Sequence, residues 1–160
     1  MAELWDAYDA GFNKLDNVTL ARGETIPDGV FHLVCEVAVK HKEGQYLLMQ
    51  RDFRKSFGGL WELTASGAAK KGETPIECAV RELEEETGIH CNDLEEIGRV
   101  VHMNTHSIYM EYLCFIECDK ESVLLQEGET VNYRWVEKEE LKNDTELASD
   151  RMLLFIEELQ

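Results

Sequence analysis

The reading of this chain turns on one stretch, Gly67-Ala68-Ala69-Lys70-Lys71-Gly72-Glu73-Thr74-Pro75-Ile76-Glu77-Cys78-Ala79-Val80-Arg81-Glu82-Leu83-Glu84-Glu85-Glu86-Thr87-Gly88-Ile89. Thr74-Pro75-Ile76-Glu77 is a capping box with proline at the first helical position. Gly88 is a stop signal. A helix is therefore expected from about 75 to 87. Ile76, Ala79, Val80 and Leu83 fall on one stripe, expected to face the core. Glu82, Glu85 and Glu86 stand at i, i+3 and i+4 and share another face, broadly opposite the apolar stripe at about 100° per residue. Three neighbouring carboxylates raise one another's proton affinity. A hard divalent cation with oxygen ligands relieves that repulsion, and Mg²⁺ shares its shell with substrate phosphates. An isolated glutamate run is more often a solvated face, so the surrounding residues decide.

They decide clearly. Gly67, five residues, Glu73, seven residues, then Arg81-Glu82-Leu83-Glu84-Glu85-Glu86-Thr87-Gly88-Ile89 fits G-x5-E-x7-R-E-U-x-E-E-x-G-U, with U aliphatic, at every specified position. On this match the chain resembles the Nudix hydrolases, and the resemblance runs from about residue 30 to the end. It implies an α/β/α sandwich with a mixed sheet. It implies attack of water on a phosphorus of a nucleoside diphosphate derivative or a similar small diphosphate, with Mg²⁺ or Mn²⁺ as cofactor. It further implies that Glu82, Glu85, Glu86 and the Gly67 carbonyl hold the metal. Glu73 is expected to pair with Arg81 and brace the loop against the helix.

A carboxylate must then take the proton from water. Its identity varies in the family between a box glutamate and an acid before the last strand; here that loop offers Glu127, the first choice, and Glu129. Arg51, Arg54 and Lys55, ahead of Gly58-Gly59, either hold the substrate phosphates or lie in solvent. Phe57 and Trp61 line a base pocket, or Trp61 belongs to the core.

Outward from the box the chain alternates strands and helices, as an α/β sandwich requires. Residues 3 to 16 read as an N-terminal hairpin around Ala10-Gly11, and 17 to 29 as a polar loop, so that 1–29 extends a single domain of 1–160. Strands are expected at 31–40, 46–50, 60–65, 94–102, 107–118 and 133–136. A short turn or helix follows at Glu139-Glu140-Leu141, and an amphipathic helix at 146–158.

Composition bounds the partners. With 33 acidic and 16 basic residues the formal net charge is -17, which repels nucleic acid and anionic membranes. It also repels a diphosphate, so the site needs cations or a local basic patch. No apolar run approaches a membrane span. The acidic start lacks the order of a secretory signal, and the five cysteines are scattered without a CxxC. A cytoplasmic location with free thiols is expected, and a homodimer is an open possibility.

Two other functions compete. Residues 4–9, 22–24 and 32–34 resemble the branch near isopentenyl-diphosphate isomerase. That enzyme needs a cysteine and a histidine where this chain has Ser66 and Ala68, leaving only His32 of its metal set. A non-catalytic nucleotide-sensing module is the third reading, and the intact box argues against it. His102 and His106 would lie roughly 13 Å apart on one strand, or face each other across Asn104-Thr105, with nothing to complete a zinc set.

Overall fold

The computed structural model describes residues 1–158; residues 159 and 160, the end of the expected 1–160 domain, lie outside the described residues. The sheet is built around a central strand, His32–His41, whose side chains sort by parity. Leu33, Cys35, Val37 and Val39 are buried on one face and Ala38 on the other. In chain order, the N-terminal hairpin is β1 (Leu4–Tyr8) and β2 (Lys14–Ala21), the central strand is β3, and β4 (Tyr46–Arg51), β5 (Trp61–Leu63) and β6 (Ala65–Ala68) follow. Then come α1 (Pro75–Thr87), β7 (Leu94–His102), β8 (Ser107–Ile116), β9 (Thr130–Val136), α2 (Lys138–Lys142) and α3 (Arg151–Glu158).

The main sheet has the order β5-β4-β3-β8-β7, with β6 paired to β3 and β9 to β4. β3 and β8 run parallel in unbroken register from His32↔Ser107 to His41↔Ile116, while the other ladders are antiparallel. α1 covers one face, where Cys78, Ala79 and Leu83 meet Cys35, Val37, Leu47 and Met49. The other face is closed by Leu141, Met152 and Ile156 from α2 and α3, against Ala38, Tyr46, Leu48 and Trp61. This is the expected α/β/α sandwich with its mixed sheet and N-terminal hairpin. All five cysteines are free thiols.

Four local expectations are corrected. β2 runs to Ala21, through residues expected to be loop. Most of its side chains face solvent, and a register shift at Asp6/Ala7 with Asn17 at φ 62° interrupts the alternation that marks a strand. The expected strand at 60–65 is broken at Thr64, whose φ is 58°. The Thr64 hydroxyl donates to the Leu47 carbonyl at 2.7 Å and accepts from the Val39 N–H at 2.9 Å. That conformation lets β5 pair with β4 while β6 crosses to β3. Residues 146–150 are not helical, because Trp61 N donates to the Glu146 carbonyl and Ala148 N to the Trp61 carbonyl, both at 2.8 Å. The last helix thus begins at Arg151.

The fourth correction concerns the face of α1. Its buried residues are Cys78, Ala79, Leu83, Glu86 and Thr87, whereas Ile76 is 40% exposed and Val80 half-buried. The helix is rolled on β3 and β6, so one box glutamate turns inward with the apolar stripe.

Candidate active site

α1 is fixed at both ends by the residues that announced it. Glu77 N donates to Thr74 Oγ1 at 3.2 Å and Thr74 N to Glu77 Oε1 at 3.3 Å. Gly88, at φ 76°, donates its N–H to the Glu84 carbonyl at 2.8 Å. The position of each box carboxylate along the helix is therefore set before tertiary packing.

Packing then brings α1 against the loop that opens at Gly67. A β-carbon at Gly67 would lie 2.1 Å from the Glu82 carboxylate. Only glycine lets that carboxylate and the β6 backbone meet so closely. Arg81 ties the loop down from the helix. Its Nε and Nη2 reach the two oxygens of Glu73 at 2.7 and 2.9 Å, and Nη2 also reaches the Ala68 carbonyl at 3.2 Å. Its Nη1 donates to Glu82 at 2.7 Å and to Glu85 at 3.2 Å.

Glu82, Glu85 and Glu86 line one cleft of about 300 Å³ together with Gly67, Arg81, Lys55 and Glu129. The three acids differ in setting. Glu85 is the most exposed. Burial pushes the Glu82 carboxyl up, and Glu85 and Glu73 add to this against the pull of Arg81. Burial pushes Glu86, only 6% exposed, well above its ordinary value; the charges of Glu62, Glu82 and Glu129 add to it, against Lys55. Burial also acts on Glu73, but the bonds from Arg81 and Lys70 outweigh it and hold that carboxyl low.

A crowded, desolvated group of carboxylate oxygens is the donor set a hard divalent cation takes. The close approach at Gly67 and the raised Glu86 fit such an ion. No three His, Cys, Asp or Glu side chains among the described residues are already gathered about a single point, and Arg81 occupies Glu82 and Glu85.

The remaining expected residues divide. Glu129 lines the cleft and is ion-paired with Lys55, whereas Glu127 is exposed and is not part of the lining. Arg51 is committed to Glu62 and to the Ser56 carbonyl. Arg54 closes on Asp52, with contacts of 2.9 and 2.6 Å. Trp61 is core, under the Arg134 guanidinium at 4.6 Å. Phe57, 67% exposed, lines a second cavity of about 740 Å³ with Arg51, Glu62, Tyr109 and Arg151. Ser66 lines both spaces, so they adjoin there.

Among the described residues, no histidine belongs to a group of three His, Cys, Asp or Glu side chains that could hold a metal. His32 Nε2 meets Ser107 Oγ at 2.7 Å and its ring stacks on Trp5. His102 Nδ1 meets Thr105 Oγ1 at 2.8 Å, and the His106 ring lies against Phe31.

The sequence reading missed Glu62, Arg22 and Lys70. Glu62 faces Glu86 from β5, and Arg22 and Lys70 line the cleft. None is a specified position of the box: Glu62 arrives by the pairing of β5 with β4, Arg22 by docking of the hairpin, and Lys70 fills one of the five unspecified positions between Gly67 and Glu73.

A family model for the NUDIX domain matches residues 31–155. An uncharacterised Nudix hydrolase of Listeria monocytogenes is 34% identical over 143 residues, covering 88% of this chain and 83% of that protein. Among solved structures, DR0079 of Deinococcus radiodurans superposes with a TM-score of 0.77 at 15% identity, covering 99% of this chain and all of that one. The NUDIX domain of Shewanella oneidensis NrtR, solved with ADP ribose, gives 0.64 at 19% identity, covering 79% and 84% of the two chains. These two likenesses concern the fold.

Proposed function

This chain belongs to the NUDIX domain family and is a hydrolase of pyrophosphate bonds; from that premise we propose that it uses Mg²⁺ or Mn²⁺ to direct water onto a nucleoside diphosphate derivative. The observation that carries the reading is the shared cleft of Glu82, Glu85, Glu86 and Gly67, with cations on its walls.

Glu82, Glu85, Glu86 and the Gly67 carbonyl would hold the metal. When bound, a divalent cation polarises phosphoryl oxygens, lowers the pKa of the attacking water and steadies the leaving phosphate. The protein's own part is positioning and proton handling. Arg81 holds the loop to the helix through Glu73 and restrains Glu82 and Glu85. Glu129 accepts the proton of the attacking water, and its pairing with Lys55 keeps it over the cleft. Its half-buried place in the lining supports it above Glu127. The adjoining cavity, with Phe57 and Tyr109 on its wall, receives the group attached to the diphosphate.

The test is a hydrolysis panel of nucleoside di- and triphosphates, nucleotide sugars, ADP-ribose and dinucleotides, run with Mg²⁺ and with Mn²⁺. At least one member should be cleaved at a pyrophosphate bond, and chelation should stop the reaction. No turnover of any member with either metal would overturn the proposal.

A further inference from the structure

The cleft leaves a phosphate chain short of free cations. Lys55 is held by Glu129, Arg51 by Glu62 and Arg54 by Asp52, and Arg81 is engaged with three glutamates. Two further cations line the same space, Arg22 and Lys70. The ion pair of Arg22 is a long one, 3.8 Å to Glu3, and its side chain is 67% exposed. Arg22 belongs to the hairpin, ahead of residue 31 where the family match begins.

That hairpin is anchored to the box loop. Lys71 N donates to the Leu4 carbonyl, Lys71 Nζ to Thr19 Oγ1, and Gly72 N to Asp6 Oδ2, each at 2.8 Å. Trp5 stacks on His32 with centroids 4.2 Å apart and planes at 13°. Ala68, one residue past Gly67, packs against the hairpin cluster of Trp5, Ala7 and Leu20. Leu4 pairs with Ala21, and Arg22 N donates to the Glu3 carbonyl at 2.9 Å. The open end of the hairpin, carrying Glu3 and Arg22, therefore sits at the cleft.

We infer that the N-terminal hairpin is part of the active site and that Arg22 supplies it with a cation for the phosphate oxygens of the substrate. This rests on the reading of the cleft as a pyrophosphate-hydrolase site. In a chain of net charge -17, an entering polyanion needs a local counter-charge. A guanidinium offers a planar fork that matches phosphate oxygens two at a time. Arg22 gives up only a stretched, exposed ion pair to do so. Lys70 adds a second point charge on the same wall. Binding of this kind is felt equally in the ground and transition states, so it moves KM and leaves kcat nearly unchanged.

The experiment uses the full chain and three variants, Arg22→Ala, Arg22→Lys and Lys42→Ala. The last removes an equal charge from an exposed turn outside the cleft. Affinity for methylenediphosphonate with Mn²⁺ is measured by calorimetry, and kcat and KM on whichever panel member the wild type cleaves. Arg22→Ala should weaken affinity and raise KM about tenfold or more, with kcat within about twofold. Arg22→Lys should recover part of the loss, and Lys42→Ala should match wild type. Unchanged affinity and KM in Arg22→Ala would overturn the inference, as would an equal loss in Lys42→Ala. A wild type that cleaves nothing overturns the underlying function instead. The two failures are therefore distinguishable.

Discussion

Arg81 holds Glu73 through a two-point fork, Nε to Oε2 at 2.7 Å and Nη2 to Oε1 at 2.9 Å, and the same guanidinium reaches Glu82 and Glu85. One side chain thus couples the loop of the box to its acidic face. Lysine keeps the charge and loses the fork. Arg81→Lys should lower turnover by about a hundredfold through misplacement of the carboxylates. It should also destabilise the fold by about 1–3 kcal/mol, because the pair is largely shielded from solvent. A double-mutant cycle with Glu73→Gln should be strongly non-additive. Simple additivity of the two losses would argue against the coupling.

Glu85 is the box carboxylate whose loss should be cleanest to read. Its side chain is 43% exposed, and Arg81 holds it by a 3.2 Å bond. Removing its charge leaves nothing buried without a partner, so Glu85→Gln should melt within a few degrees of wild type. Turnover should fall by about a hundredfold or more, the loss of several kcal/mol of metal-assisted stabilisation. Steady-state rates beside circular-dichroism melts separate the two effects. A variant retaining a near-normal rate would remove Glu85 from the metal set.

The loop acids make a paired prediction. Glu129 lines the cleft and is held by Lys55, whereas Glu127 is exposed and outside it. Glu129→Gln should cost about 10²–10⁴ in kcat, the range of general base catalysis, and Glu127→Gln should stay within about threefold of wild type. The reverse order would return the proton to Glu127, the residue favoured by sequence alone.

These predictions mark where the sequence was legible. The helix of the box was readable to the residue, because its cap, its proline and its terminal glycine are local signals acting within one turn. The bracing pair Glu73 and Arg81 followed from the motif. The inward turn of Glu86 did not, since it depends on how α1 rolls on β3 and β6, and Ile76 looked as apolar as Leu83. The break at Thr64 was illegible because two long-range hydrogen bonds to its hydroxyl hold it. The partners of Arg51, Arg54 and Lys55 were invisible for a related reason. Charges in a loop announce themselves, but the acids that neutralise them come from β5, from the turn itself and from the loop before β9. The facing acids Glu36 and Glu111 likewise lay hidden until β3 and β8 were paired.

That pair gives a prediction about pH. Glu36 and Glu111 face each other in the parallel register of β3 and β8. Glu111 is fully buried and neither of its carboxylate oxygens has a hydrogen-bond partner among the described residues. Arg151 reaches across to Glu36 at 3.1 and 3.3 Å and stacks on Tyr109. Burial first, then the charge of Glu36, pushes the Glu111 carboxyl up to about 10. The folded protein therefore keeps this proton where the unfolded chain, with a value near 4.5, releases it. The sign follows from that difference. Below about pH 4.5 both states are protonated and nothing is lost. As pH rises from there towards the folded value, stability falls by up to about 1.4 kcal/mol per pH unit. Glu111→Gln removes the titration while keeping the shape. Any cost of its buried amide is the same at every pH. Melting temperatures from pH 5 to 9 should therefore decline less steeply for Glu111→Gln than for wild type, with the variant gaining most at the alkaline end. Parallel profiles would mean that Glu111 is ionised in the folded protein and that Arg151 serves both carboxylates.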